Sequence, residues 1–175
     1  MRNEFNQTLV IGDIHGCFDE LMALVALAGI GEHDRIISVG DLIDRGPKSY
    51  EVVEFFKSNS DQHIAVRGNH EAKHLRSRGQ EIPSKAGRIV RRQGTAQQYA
   101  AMLDYFETLP YWIELPEALI VHAGMQPGIP LTQQDPKVIM GVGSASRAGF
   151  NGKTPWWFDD PALQQLKPIL FGHEK

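Results

Sequence analysis

One pattern recurs along this chain: a short apolar run ends in glycine beside a residue that can bind a metal ion. The first three runs cover residues 8–13, 35–41 and 63–69, and helix-like segments at 18–28 and 49–59 separate them. Strands that alternate with helices predict a parallel sheet, and ligands of such sheets bind beyond the carboxyl ends of the strands. We therefore expect an α/β fold with its site at that edge.

The rest of the chain is less regular. The segment 76–94 is basic and contains glycine and proline, which favours a mobile basic loop or a partly ordered lid. The remaining predictions are a helix at 95–109, a hairpin around the turn Pro116-Glu117, a short helix near 133–140, a helical turn at 160–166 and a final strand at 168–173.

Composition limits the class of protein. A chain of 175 residues favours a single domain, here 1–175, which buries roughly 70% of its unfolded surface. Its 42% hydrophobic and 22% charged residues are typical of a globular protein, and a net charge of −3 does not favour a stable nucleic-acid complex or a membrane partner. Cys17 is the only cysteine, so no internal disulfide forms, and with no apolar leader at the start we expect a cytoplasmic protein.

The residues at the strand ends form a coherent ligand set. They lie in the motifs GDIHG (12–16), GDLIDRG (40–46), GNHE (68–71), HAG (122–124) and GH (172–173). Asp13 and His15 are two residues apart on an extended backbone, so both point the same way and can hold one ion. Asp41 offers two oxygens that can bridge two ions, and a mixed set of carboxylate, imidazole and amide ligands suits Mn, Fe or Zn.

This ordered set of motifs resembles the calcineurin-like metallophosphoesterases, and within them the phosphoprotein phosphatase family. The resemblance implies a β-sandwich flanked by helices and two divalent ions, most simply Mn²⁺, with Fe, Zn, Ni or Co as alternatives. It implies that metal-bound hydroxide attacks phosphorus directly, without a phosphoenzyme. The implied metal ligands are Asp13 and His15 for the first ion, Asp41 as the bridge, and Asn69, His122 and His173 for the second.

The same resemblance implies the catalytic residues. His70 would protonate the leaving oxygen, and Asp44 would orient it. Arg45 would hold phosphate oxygens through its planar guanidinium group. Members of the family carry a second phosphate-binding arginine between the HAG and GH motifs, and Arg147 is the arginine in that interval here.

Two positions bear on the substrate. Bacterial symmetrical diadenosine tetraphosphatases usually have Ala where Asp44 stands and Asp where Glu71 stands, so the chain looks more like the serine/threonine protein phosphatases. The preferred prediction is therefore hydrolysis of a phosphorylated protein. The alternative is a nucleotide phosphatase, such as a bis(5′-nucleosyl)-tetraphosphatase, or a polynucleotide phosphatase; a catalytically inactive binding module is the third hypothesis.

Chains of this family usually continue through further strands after the GH motif, whereas here only two residues follow His173. We therefore expect that the C-terminal strands are missing, that His173 is mobile and that the second ion is held weakly.

A competing interpretation concerns residues 70–74, which also match the zinc-protease pattern H-E-x-x-H. We favour a chance match because His70 directly follows a strand and no further histidine occurs before His122. On this interpretation Glu71 supports the third loop, and His74, like His33 and His63, is a surface or structural residue.

Overall fold

The computed structural model describes residues 5–80, 84–142 and 167–173. The elements in chain order are β1 (Thr8–Ile11), α1 (Phe18–Leu27), β2 (Arg35–Ser38), α2 (Ser49–Ser58), β3 (His63–Ala65), α3 (Asn69–Arg76), α4 (Lys85–Gln93), α5 (Ala96–Thr108), β4 (Trp112–Glu114), β5 (Leu119–Val121), a 3-10 turn (Leu131–Gln133), α6 (Pro136–Ile139) and β6 (Ile169–Leu170). The predicted α/β class is confirmed.

The strands form two three-stranded sheets. In the first, β1, β2 and β3 lie side by side in parallel, as the alternation of strands and helices predicts. In the second, β4 and β5 form the predicted antiparallel hairpin, and β6 pairs in parallel with β5. The carboxyl ends of β1, β2 and β3 therefore meet at one edge of the first sheet.

The two sheets pack face to face through apolar side chains. Along each of β2 and β5, successive buried side chains point alternately to the space between the sheets and to an outer face. Ile37 of β2 and Ile120 of β5 belong to one apolar cluster between the sheets. Their neighbours Ile36 and Leu119 point the other way, into separate clusters on the outer faces. This period of two gives β2 and β5 two buried faces, which explains why these strands are mostly apolar.

Helices cover the outer face of the first sheet. Phe56 of α2 and Phe106 of α5 are fully buried in the cluster that also contains Ile36. The start of α5 is stabilised by a capping box, in which Thr95 Oγ1 accepts from Gln98 N and Gln98 Oε1 accepts from Thr95 N.

Two helices differ from the sequence-based expectation. The third strand ends at Ala65 rather than 69, and α3 begins at Asn69. The segment predicted as a mobile basic loop contains α4, because Ser84 Oγ accepts from Gly87 N and Val90 is buried against the core. Tertiary burial here outweighs the weak helix propensity of a segment that contains glycine.

Other predictions lie partly outside the described residues. The helical turn at 160–166 and Arg147 fall there, and the absence of further strands after the GH motif stays a prediction. None of the helices within the described ranges combines the length and hydropathy that a membrane span needs.

Replacing Phe56 with alanine tests the packing of this core. Phe56 is fully buried, so we expect Phe56→Ala to lower the free energy of unfolding by about 3–5 kcal/mol through lost burial and a residual cavity. The measurement is urea denaturation of the metal-free protein. Leu27→Ala is the control, because Leu27 is 87% exposed and its truncation should change stability by less than about 0.5 kcal/mol. Equal destabilisation by both variants would contradict the described core.

Candidate metal centre and active site

The ends of five strands converge on one polar centre. Each contributes side chains from the first few residues after the strand: Asp13 and His15 after β1, Asp41 after β2, Asn69 after β3, His122 after β5 and His173 after β6. The structure brings these six side chains together, and their role as metal ligands stays a prediction.

Asp41 lies between two groups of possible ligands. On one side its Oδ2 atom is 3.8 Å from His15 Nε2, which is itself 3.7 Å from Asp13 Oδ2. On the other side Asp41 Oδ1 is 3.5 Å from His122 Nε2. Asp41 therefore faces both groups, one with each oxygen, which is a position that suits a bridging carboxylate.

The second group is closely packed around the Asn69 amide. Its inward-facing oxygen is 3.0 Å from His122 Nε2 and 3.1 Å from His173 Nδ1. His173 is held in place by its own backbone, since its N–H donates to Asp13 Oδ1 at 3.0 Å, and Gly172 N donates to His122 O. The expected mobility of His173 stays a prediction, but the position of its ring beside His122 and Asn69 matches the sequence-based ligand set.

Hydrogen bonding shows that this centre is rich in acceptors and poor in donors. His15 Nδ1 donates to Ile43 O and His122 Nδ1 donates to Val39 O, so in the neutral rings each Nε2 is a lone pair directed at the carboxylates. His15 Nε2 is buried and has no hydrogen-bond partner among the described residues. Acceptors that converge without donors are what a cation requires.

The orientation of Asn69 agrees with this picture. Every described group around its inward-facing atom is an acceptor. An inward NH₂ group would satisfy them without an ion, whereas an inward oxygen satisfies the site when a cation is bound. The residues present therefore fit divalent ions, and the identity of the ion does not follow from this mixed set of ligands.

Electrostatics supports the same conclusion. Burial raises the pKa of Asp41 to about 6, and the nearby Asp13 adds to this rise. Burial also lowers the pKa of the His122 and His15 rings, which favours the neutral forms that can bind a metal. The metal-free centre thus collects acidic groups at a cost that a divalent cation offsets.

The backbone at the centre is strained where its side chains converge. Within residues 5–80, 84–142 and 167–173, the non-glycine residues with positive φ are His15, Asp41, Asp44, Arg45 and His173, all from the predicted site. Such conformations cost about 1–3 kcal/mol each and persist where the surroundings enforce them. A Cβ on Gly68 would collide with Asp41 Oδ1, so glycine is required there for close approach of the two loops.

The fully buried Glu71 side chain enforces this arrangement. Its Oε2 accepts from Asp41 N and Gly68 N at 3.0 and 2.9 Å, and its Oε1 accepts from Leu42 N at 2.9 Å. One carboxylate thereby ties the loop after β2 to the loop after β3. The expectation that Glu71 supports the third loop is confirmed, and the same contacts orient Asp41.

A second polar cluster surrounds Asp44, which is fully buried. His70 Nδ1 donates to Asp44 Oδ2 at 2.6 Å, and the Lys73 ammonium contacts the same oxygen. Burial alone would raise the pKa of Asp44, but hydrogen bonds from His70, His74 and Lys73 outweigh it and hold the pKa well below its usual range. The ionised carboxylate thus fixes the His70 ring and leaves His70 Nε2 facing the metal centre.

Distance alone does not separate His70 from the metal ligands. His70 Nε2 lies 3.8 Å from Asp41 Oδ2, and the ligand atoms of His15, Asp41 and His70 all lie within 4.8 Å of one another. What distinguishes His70 is its link to Asp44, which suits a ring that carries and releases a proton.

The structure shows that His74 is the structural rather than the surface residue of the two predicted alternatives, and it argues against the zinc-protease pattern. His70 and His74 do lie one turn apart on α3, but His74 is fully buried and points at Asp44 rather than at the metal centre. Its Nε2 is 3.0 Å from Asp44 Oδ1 and its Nδ1 is 2.9 Å from the Tyr99 hydroxyl, so both ring nitrogens are engaged. The spacing of four from His70 places both rings on one face of α3, and only the tertiary structure brings Asp44 to that face.

Arg45 and Arg147 are the two arginines that the sequence analysis predicts to bind phosphate. Arg45 is exposed, and no carboxylate in the described ranges forms a salt bridge with it, so its guanidinium is free to meet an anion there. Arg147 lies outside the described residues, and its predicted contact with phosphate stays a prediction.

Known protein families and solved structures were compared with this chain. The sequence profile of calcineurin-like phosphoesterases matches residues 7–174. The chain belongs to this family. A crystal structure provisionally identified as a diadenosine tetraphosphatase superposes with a TM-score of 0.69 and 26% identity, covering 95% of this chain and 74% of the other.

Relatives similar in sequence carry the name of symmetrical bis(5′-nucleosyl)-tetraphosphatases. The symmetrical bis(5′-nucleosyl)-tetraphosphatase of Psychromonas ingrahamii is 39% identical over 124 residues, which are 69% of this chain and 45% of that protein. The enzyme of the same name from Vibrio vulnificus is 35% identical over 67% of this chain and 44% of its own length. The chain thus spans less than half the length of these relatives. Their names favour the alternative substrate class over the protein phosphatase that we inferred from Asp44 and Glu71.

Replacing Asp41 tests the metal centre without relying on activity. Mn²⁺ at 100 times its dissociation constant should stabilise the folded protein by about 2.7 kcal/mol. Because Asp41 faces both groups of ligands, Asp41→Asn should abolish this Mn²⁺-dependent rise in unfolding temperature, measured by calorimetry with and without the ion. The control is Asp19→Asn, whose exposed carboxylate pairs with Lys48 and should leave the Mn²⁺ effect unchanged. Full stabilisation of Asp41→Asn by Mn²⁺ would exclude the proposed bridge.

Glu71→Gln tests the link between the two loops. The substitution places an NH₂ group where the carboxylate accepts backbone N–H groups, so we expect a loss of about 1–3 kcal/mol in unfolding free energy. We also expect Mn²⁺ affinity to fall by about 10- to 100-fold, as for other residues that orient a ligand. Isothermal titration measures the affinity, and the exposed Glu117→Gln variant serves as the control. Unaltered affinity in Glu71→Gln would show that Asp41 does not depend on this contact.

Proposed function

We propose that this chain is a metal-dependent phosphoesterase acting on nucleoside polyphosphates, of the kind that symmetrical bis(5′-nucleosyl)-tetraphosphatases hydrolyse. The observation that carries the proposal is the acceptor-rich centre around Asp41, flanked by the His70–Asp44 pair. The tetraphosphatase names of the relatives support the substrate class.

The ligands would be Asp13, His15, Asp41, Asn69, His122 and His173, for two divalent ions. When bound, the ions would supply charge neutralisation at phosphorus and activation of water, the roles that paired ions about 3.5–4 Å apart have in displacement at phosphorus.

His70 would donate the proton that the leaving oxygen needs. Asp44 fixes the His70 Nδ1–H, so Nε2 faces the centre where a phosphoryl group would lie. As the bond from phosphorus to the leaving oxygen breaks, its electron pair stays on that oxygen and the proton of His70 Nε2 moves to it. Arg45, exposed beside this pair, would hold non-bridging phosphate oxygens through its planar guanidinium.

Positive charge on α4, which is anchored beside the loop of Arg45, suits a substrate with several phosphates. Helix α4 carries four exposed cations, namely Lys85, Arg88, Arg91 and Arg92. Its last residue, Gln93, donates to Gly46 O and accepts from Ser49 N, which anchors the helix next to the loop of Arg45. A polyphosphate chain offers more negative charge to such a helix than a single phosphomonoester does.

A second candidate function, protein phosphatase, retains one specific observation. Asp44 and Glu71, which the sequence analysis associated with protein phosphatases, are both present and both make the contacts described above. The test must therefore compare the two substrate classes directly.

The experiment is a panel of substrates assayed with added Mn²⁺: diadenosine tetraphosphate, a phosphoserine peptide, 2′,3′-cyclic AMP and p-nitrophenyl phosphate. We expect the highest kcat/KM for diadenosine tetraphosphate, with two molecules of ADP as products. We expect His70→Asn to lower kcat by about 10²- to 10⁴-fold, as for loss of a general acid, while bound Mn²⁺ is unchanged. His33→Asn, at an exposed histidine, is the matched control.

Three results would overturn parts of this proposal. Preference for the phosphopeptide would establish the second candidate function. Loss of bound Mn²⁺ in His70→Asn would make His70 a ligand rather than a proton donor. A folded, Mn²⁺-bound chain with no turnover of any substrate would identify a binding module.

A further inference from the structure

His74 is a buried titratable residue that the proposed reaction does not use. It lies on α3, has no exposed surface, and is four residues after His70. A fully buried histidine on a helix otherwise rich in charged residues needs a reason, because burying a polar ring is costly unless its nitrogens are hydrogen-bonded.

Both nitrogens of His74 are bonded in a defined direction. Asp44 Oδ1 accepts, so His74 Nε2 donates to it over 3.0 Å. In the neutral ring Nδ1 then accepts from the Tyr99 hydroxyl over 2.9 Å. Burial raises the pKa of Tyr99 to about 12, which keeps this hydroxyl protonated and able to donate.

The Tyr99 end of this chain is fixed by packing. Tyr99 belongs to α5 and is buried in the core cluster that includes Phe106. The Arg91 guanidinium of α4 lies 5.5 Å from the centroid of its ring. The hydroxyl is thus held by two helices that are themselves part of the core.

The orientation of the Asp44 carboxylate, at the other end of this chain of hydrogen bonds, is not fixed by core packing. Asp44 sits in a loop at a φ of +71°, and its Oδ2 is shared between His70 and Lys73. Rotation of the Asp44 carboxylate would break its hydrogen bond to His70, and the Lys73 ammonium, which shares the same oxygen, could then replace His70 as its partner. The bond from His74 to Oδ1 opposes that rotation.

We propose that His74 is a positioning residue for the general acid, holding Asp44 so that its second oxygen faces His70, with Tyr99 setting the tautomer of His74. This inference rests on the proposed phosphoesterase function. The order of the relay is Tyr99 O–H to His74 Nδ1, His74 Nε2–H to Asp44 Oδ1, and His70 Nδ1–H to Asp44 Oδ2.

Two variants of His74 separate positioning from folding. His74→Leu removes both hydrogen bonds. His74→Gln keeps a donor near the position of Nε2 and should retain the bond to Asp44. Both are assayed with p-nitrophenyl phosphate, whose leaving group needs little protonation, and with phenyl phosphate, whose leaving group needs much more.

For His74→Leu we expect kcat with phenyl phosphate to fall by about 10- to 100-fold at unchanged KM. The loss with p-nitrophenyl phosphate should be several-fold smaller, and His74→Gln should restore most of the activity on phenyl phosphate. A purely structural role would lower both activities in the same proportion, and that result, or no loss with either substrate, would overturn the proposal.

Two tyrosines on α5 give a matched control. Tyr99→Phe removes only the outer hydrogen bond and should produce the same dependence on leaving group to a smaller extent. Tyr105→Phe changes a half-buried tyrosine on the same helix, outside this relay, and should leave both activities unchanged. Equal effects of the two substitutions would contradict the role given to Tyr99.

A crystal structure of His74→Leu provides a readout that does not depend on turnover. We expect the 2.6 Å contact between His70 Nδ1 and Asp44 Oδ2 to be lost or lengthened beyond hydrogen-bond distance. Retention of that contact would overturn the proposal. Failure of the unsubstituted protein to turn over any phosphate ester would instead refute the proposed function, and the crystal structure would then decide the role of His74 alone.

Discussion

The arrangement of the candidate active centre depends on one buried carboxylate, that of Glu71. It accepts backbone N–H groups from Asp41, Leu42 and Gly68, and so it joins two loops that follow neighbouring parallel strands. Without this acceptor, three buried N–H groups would lack a partner, which costs about 1–3 kcal/mol each. The contact also places Asp41 in a left-handed conformation, with its carboxylate between the two groups of ligands.

This arrangement stores unfavourable energy in the candidate metal centre. The left-handed backbone of His15 and Asp41, the raised pKa of Asp41 and the unpartnered His15 Nε2 are all costs in the metal-free protein. A well-packed sandwich of two sheets and helices such as α2 and α5 supplies the stability that offsets them. Binding of cations would relieve the electrostatic part of the cost, so stability and metal affinity are linked.

The sequence alone predicted much of this fold and most of the centre. The alternation of apolar runs such as 35–41 with helix-like segments predicted the parallel sheet, and the central part of this run is apolar because both faces of β2 are buried. The sequence alone did not predict α4. Gly87 lowers the helix propensity of this segment, and the burial of Val90 against the core stabilises the helix. Helix propensity is local, whereas the burial that stabilises α4 comes from residues far along the chain.

The sequence by itself determined which residues follow each strand, since glycine, carboxylate and imidazole at fixed spacing need no structure to be recognised. Tertiary structure alone decided what lies beside them. His74 is four residues from His70 in the sequence, but its partners Asp44 and Tyr99 are 30 and 25 residues away. Such contacts depend on the packing of α3 against α5 and on the path of the loop after β2, which no short-range pattern encodes.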